Sequence, residues 1–351
     1  MTSAIPRLLS LATGVPPYAL GQEQVTHRAR RLFEQHPSAD LGRLMPVFTN
    51  AGIERRYSSV PIEWYEQPHG WTERNGIYLE TALHLLDQVA RDALALAHLA
   101  PGDIDATIVV STTGIATPSL DSMLIDRLGM RRDVRRLPVF GLGSAGGVLG
   151  MARAADVARA HPKERVLLLV IELCALSFRK NDVSKSNIVA TALFGDGAAA
   201  AIISCDGDGP ALGAAGEHTW PDTLGVMGWD VAEDGLKAVF SRDIPALVRG
   251  QMREVTTAFL ARQGRSLGDI DHFICHPGGV KVIAALEAAF ALAEGTLDDA
   301  RSVLRDFGNM SAATVLFVLE RALRRGLSGR LLMTALGPGF SSGFQLIETA
   351  G

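Results

Sequence analysis

Three polar residues stand in glycine-rich surroundings where a reacting group could reach them. They are Ser144 in Gly141-Leu142-Gly143-Ser144-Ala145-Gly146-Gly147, His276 in His276-Pro277-Gly278-Gly279, and Asn309 in Gly308-Asn309-Met310-Ser311-Ala312. A serine hydroxyl titrates far above neutral pH and attacks a carbonyl only with a positioned general base. A neutral imidazole donates from Nε2–H and an asparagine amide from its N–H2, so together they can hold one oxygen as it gains negative charge. Each residue also has a plainer reading. Ser144 could be a small residue packed under a helix start, as Ser311 could be. A lone histidine is more often a satisfied core residue, and Asn309 could cap the helix that follows it. A serine hydrolase built on Ser144 and His276 is disfavoured, because the nucleophile elbow wants glycine two residues before the serine and Leu142 stands there.

The elements that must position these residues occur twice. Gly102-Asp103-Ile104-Asp105 before Ile108-Val109-Val110 returns as Gly268-Asp269-Ile270-Asp271 before Phe273-Ile274-Cys275. Phe140-Gly141 to Ser144-Ala145 is matched by Phe307-Gly308 to Ser311-Ala312, and Arg165-Val166-Leu167-Leu168 by Arg330-Leu331-Leu332-Met333. The offset stays at about 166 residues, which implies an internal duplication. Ser144 belongs to the first copy, and His276 and Asn309 to the second. The site is therefore expected between two pseudo-symmetric halves, residues 1–204 and 205–351. Each half reads as strand, loop, helix, strand. Ile108 to Ser111 is a strand broken by Thr112-Thr113-Gly114, and Leu120 to Leu128 is an amphipathic helix. The alanine-rich helix after Ser144 is apolar on most sides, which predicts that it is buried, and it ends near His161-Pro162. This alternation predicts a layered α/β architecture with its sheets covered on both faces. Residues 205–235, with their Gly and Pro and few apolar runs, read as an inserted loop or lid.

The chain has 351 residues, 47% hydrophobic and 21% charged, enough to bury a large core or two fused half-cores. A net charge of −4 with no basic stripe argues against a nucleic-acid partner. Runs such as Val166 to Ile171 are of strand length and too short to span a bilayer. The start, Met1 to Arg7, lacks the charged and apolar regions of a signal peptide. Cys174, Cys205 and Cys275 form neither a metal spacing nor an even framework, so a reducing cytoplasm is expected.

In their order and spacing, several segments carry a resemblance. They are Ser111-Thr112-Thr113-Gly114 with Pro118, Gly141 to Gly147, Glu172 to Arg179, Leu193-Phe194-Gly195-Asp196-Gly197 with the alanines that follow, His276-Pro277-Gly278-Gly279, Gly308 to Ala312, and Gly337-Pro338-Gly339-Phe340. The chain resembles the type III polyketide synthases, the chalcone-synthase-like branch of the thiolase superfamily, over nearly its whole length. The resemblance implies a thiolase-like αβαβα fold of two duplicated halves and a homodimer. It also implies an enzyme that loads an acyl-CoA starter, condenses malonyl-CoA with loss of carbon dioxide and cyclises the chain to a pyrone or phenolic ring. No permanent cofactor, metal, carrier domain or membrane is implied. The nearest rival, β-ketoacyl carrier-protein synthase III, continues its histidine motif with Gln-Ala-Asn, which Pro277-Gly278-Gly279 does not match. A catalytically inactive binding homologue is a further alternative.

One departure stands out, because the family's motif places a nucleophilic cysteine where this chain has Ser144. A thiol at a helix N-terminus is held as thiolate and exchanges thioesters readily, and this chemistry does not carry over to an alcohol. The chain is therefore read as a Cys-to-Ser disarmed form, with engineering favoured over natural divergence. The resemblance gives His276 and Asn309 the enolate and oxyanion donor role. It places Thr112, Thr113, Cys174, Ser177 and Ser311 on the pocket wall, and Phe194 between CoA tunnel and cavity. Cys174 is the runner-up nucleophile but lacks the helix-start and glycine context. Thr117 falls where a loop crosses the dimer, Trp229 on the cavity floor in place of a glycine, and Ala238 in place of a second gating phenylalanine. Arg43, Arg55 and Arg56 fall where basic residues meet CoA phosphates.

Overall fold

Val166–Leu173 is apolar at seven of its eight positions and forms a strand buried along its whole length, as a run covered on both faces must be. The strands in chain order are β1 (Arg7–Gly14), β2 (Tyr18–Gly21), β3 (Arg55–Ser58), β4 (Ala106–Val110), β5 (Arg135–Val139), β6 (Val166–Leu173) and β7 (Asp196–Ser204). They continue as β8 (Ala211–Thr219), β9 (Met227–Ala232), β10 (Gly235–Phe240), β11 (His272–Cys275), β12 (Gly329–Gly337) and β13 (Ser341–Thr349). This is a computed structural model and describes residues 4–37 and 40–350. Met1 to Ser3 of the N-terminal reading lie outside the described residues.

Nine strands hydrogen-bond in the order β11-β12-β13-β8-β1-β7-β6-β4-β5, while β2 with β3 and β9 with β10 form separate pairs. The duplication is visible in this order. β1-β7-β6-β4 and β8-β13-β12-β11 have the same directions, antiparallel at the first two pairings and parallel at the third. The two half-sheets meet through one residue pair, Arg7 with Ala211. Two helices, Gly146–Ala160 and Thr314–Arg324, start at equivalent places in the two halves and pack on strands of both, which makes them the central layer. The long helix Trp71–Leu96 covers the far face of the first half-sheet, and Ile244–Ala261 lies on the second, its Phe259 stacked on Phe344 of β13 at 5.1 Å. The result is the layered, duplicated α/β fold expected from the sequence.

The Leu120–Leu128 helix and the buried helix after Ser144, capped at His161, lie where the periodicity put them. The expectation of a loop or lid at 205–235 needs correction. Ala211–Thr219 is β8, an internal strand, and Met227–Ala232 is one arm of a hairpin. The glycines of β8 suggested a loop, but Gly216 leaves space that the Phe259 ring fills; a Cβ there would come within 2.6 Å of it.

Candidate active site

Ser144 sits in a short 3-10 turn, Gly143–Ala145, that runs directly into the buried helix Gly146–Ala160. The turn is crowded at its glycines and open at Ser144, towards the cavity described below. Gly143 has φ +49° and packs on Pro338, so a side chain there is excluded by both backbone and space. Its N–H donates to the Thr112 hydroxyl at 3.0 Å. Gly147 lets the helix approach the Ala312 carbonyl of the second half. The pseudo-symmetry therefore brings Ser144 to its own counterpart, and its hydroxyl donates to Ser311 Oγ at 3.3 Å.

His276 follows the last residue of β11, and its backbone N–H donates to Thr334 O at 2.9 Å. The ring is buried, and burial pulls its pKa down to about 4, so it is neutral at physiological pH. Asn309 accepts the Ser311 N–H at 2.9 Å through Oδ1, which fixes the amide with its N–H2 on the other side. That N–H2 makes one long contact, 3.4 Å to Gly278 O. The Asn309 main chain is itself held, its N–H donating to Leu193 O at 2.8 Å and its carbonyl accepting from Gly195 N–H at 3.0 Å.

Ser144, His276 and Asn309 line one cavity of about 720 Å³. Its apolar wall includes Phe194, with Trp229 at 5.9 Å and Phe240 at 5.6 Å between ring centroids. Four exposed cations, Arg43, Lys185, Arg242 and Lys281, stand on its rim against one carboxylate, Asp40. A neutral imidazole and an aimed amide beside a hydroxyl can hold an oxygen that becomes anionic, and the cations suit a polyanionic ligand tail.

The comparisons with known proteins agree along the whole chain. The N-terminal domain of the chalcone and stilbene synthases matches residues 4–207 and their C-terminal domain residues 211–347. The chain belongs to the chalcone and stilbene synthase family, the type III polyketide synthases. It is 40% identical to 1,3,6,8-tetrahydroxynaphthalene synthase of Streptomyces peucetius subsp. caesius, over 96% of this chain and 91% of the relative. The crystal structure of 1,3,6,8-tetrahydroxynaphthalene synthase from Streptomyces coelicolor A3(2) superposes with a TM-score of 0.93 at 29% identity, covering 98% of this chain and all of the other. Phloroglucinol synthase of Pseudomonas fluorescens is 27% identical over 93% of this chain and 94% of its own.

Several residues expected on the wall of this polyketide synthase lie elsewhere. Thr112 is buried behind Ser144, its hydroxyl holding Gly143 and its N–H donating to Glu172 at 3.0 Å. Thr113 accepts the Leu173 N–H through its hydroxyl and borders, with Ser177 and Trp229, a separate small cavity. Cys174 and Ser177 line another narrow apolar cavity behind Phe194, where burial raises the Cys174 thiol well above its usual range. Ser311 and Phe194 do line the main cavity. Thr117 is exposed, ahead of a cis proline, and does not line it. The expected open gate at Ala238 is corrected. Ala238 pairs with Trp229 across the hairpin and is buried against Cys174 and Phe194, and the ring of β10 on the cavity is Phe240. Among the expected phosphate ligands, Arg43 is on the rim. Arg55 is exposed over the Tyr57 ring at 5.7 Å and does not line the cavity. Arg56 is corrected, because it is buried and donates to backbone carbonyls. Lys185, Arg242 and Lys281 join Arg43 on the rim from three distant segments with no shared motif, so the sequence carries no local signal for them.

Glu172, at the end of β6, is wholly buried, and burial raises its carboxyl to about 8. It is ionised in the unfolded chain above about 4.5 but keeps its proton in the fold up to about 8. The folded state binds the extra proton in that window, so this group's stabilisation is lost as pH rises from about 4.5 to 8. One group contributes a slope of at most about 1.4 kcal/mol per pH unit. Glu172→Gln is expected to flatten the fall in melting temperature between pH 5 and 8. Parallel curves for the two proteins would show that Glu172 does not titrate there.

Proposed function

We propose that this synthase binds acyl-CoA and malonyl-CoA in the 720 Å³ cavity and that the chain is a disarmed form with serine at the family's thiol position. The observation that carries the reading is the convergence of Ser144, neutral His276 and the aimed Asn309 amide on that cavity. Loss of carbon dioxide from malonyl-CoA sends the C–C bond electrons into the thioester carbonyl. The resulting enolate oxygen accepts from His276 Nε2–H and Asn309 N–H2. In the serine protein the enolate carbon takes a proton and leaves as acetyl-CoA; with a thiol at position 144 it would instead attack the acyl thioester carbonyl and expel that thiolate, and repeated extension would precede closure to a pyrone or phenolic ring. A thiol at position 144 would take the starter by near-isoenergetic thioester exchange. Among the described residues the Ser144 hydroxyl has Ser311 as its partner and no base that bonds it, so it does not load. Arg43, Lys185, Arg242 and Lys281 meet the CoA phosphates at the rim.

The names of the tetrahydroxynaphthalene and phloroglucinol synthases favour a phenolic product. A homodimer is supported by β5, a sheet-edge strand that exposes Leu137 and leads to the exposed Phe140. Three unpaired cysteines suit a cytoplasmic, reducing setting. No helix among the described residues is long and apolar enough to cross a membrane. Incubation with malonyl-CoA tests the reading: acetyl-CoA should accumulate without polyketide, whereas inert malonyl-CoA would contradict it.

Trp229 separates the main cavity from the small one bordered by Thr113 and Ser177. With the thiol restored at position 144, Trp229→Gly is expected to join the two and shift products towards more malonyl extensions. Product masses check this. An unchanged extension number with a melting temperature lowered by an amount equivalent to about 3–5 kcal/mol would make Trp229 a core residue.

A further inference from the structure

We propose that Arg56 is a positioning residue for decarboxylation, acting through Asn309 and not on the substrate. The proposal rests on the reading of Asn309 as an enolate donor. Arg56 lies on β3, and 3% of it is exposed. Its Nη1 donates to Thr191 O at 2.6 Å and Phe194 O at 3.0 Å, and its Nη2 to Ala192 O at 2.6 Å and to Gln22 Oε1. Those carbonyls end the helix Lys185–Leu193, where no further helical N–H can reach them and where a cation is electrostatically favoured.

The next link crosses between the halves. Leu193 O and Gly195 N–H bracket Asn309 in an isolated parallel bridge, Phe194 with Asn309. Arg56 is wedged at that crossing: its Cβ lies 3.3 Å from where a side chain on Gly195 would start and 3.4 Å from one on Gly308. The guanidinium thus sets the carbonyls on either side of Leu193, Leu193 and Gly195 set the Asn309 backbone, and that backbone aims the amide. A lysine would keep the charge but cannot present a planar fork to three carbonyls and a carboxamide at once.

The test is a double-mutant cycle on malonyl-CoA decarboxylation. Arg56→Lys is expected to lower kcat by about tenfold or more and to move KM by less than about twofold. In the Asn309→Ala protein the same substitution should cost less than about twofold, because residues acting through one another are not additive. A full tenfold loss in both backgrounds, an effect confined to KM, or a loss that only tracks the folded fraction by thermal melting would overturn the proposal. If Asn309→Ala alone leaves kcat unchanged, the donor reading fails first and the two failures are told apart. Should Arg56→Lys not fold, Gln22→Leu removes one acceptor and keeps the cation. It should lower kcat several-fold in the parent and not in the Asn309→Ala protein, and equal losses in both would overturn the proposal.

Discussion

Ser144→Cys is expected to raise condensation of an acyl-CoA with malonyl-CoA by about two orders of magnitude or more, the scale of a missing activated nucleophile. The argument is local. Position 144 lies in the turn that opens a 15-residue buried helix, where the aligned peptide dipoles stabilise negative charge. A thiol there is lowered towards neutral pH and attacks as thiolate. The hydroxyl gains far less, because its own pKa is too high for the helix to bring into range. Its hydrogen-bond partner is another hydroxyl, that of Ser311 at 3.3 Å, which is not a base. The swap also adds little volume to the crowded turn, and Gly143 and Gly147 remain as they are. Steady-state product formation by the two proteins checks this, and equal rates would remove Ser144 from the nucleophile position.

Asn309→Ala is expected to cost about 2.7–4 kcal/mol of transition-state stabilisation in malonyl-CoA decarboxylation, or about 10² to 10³ in kcat. The amide is fixed by the Ser311 N–H on its oxygen, so its donor face costs no reorganisation when the enolate forms. Alanine leaves the backbone bonds to Leu193 and Gly195 in place, so the fold should hold. A variant that melts like its parent but releases acetyl-CoA slowly supports the donor role. One that decarboxylates at the parent rate contradicts it.

Much of this was legible along the chain, for physical reasons that differ by region. The duplication is visible because each copy needs the same apolar strand and helix start, and of the first copy's turn glycines Gly141 recurs as Gly308 while Gly143 and Gly147 give way to Met310 and Thr314. Gly143 and Gly147 mark the neighbourhood of Ser144 in the sequence alone. The resemblance sets Arg56 beside Arg55 as a CoA-phosphate residue, whereas the alternation of a strand carries the opposite signal: β3 is exposed at Arg55 and buried at Arg56. β8 was missed because Gly213 and Gly216 look like turn residues until Phe259, far along the chain, fills the space above Gly216. Ala238 and Phe240 share a face of β10, so local pattern could not say which of them meets the cavity. That choice is made by Phe194 and Trp229, from other segments.

The most direct measurement is the mass of the Ser144→Cys protein after brief exposure to an acyl-CoA, with peptide mapping of any adduct. The account predicts one acyl group per chain, on the peptide that contains position 144, and none on the unmodified protein. An adduct on the Cys174 peptide, or the same acylation of both proteins, would contradict it.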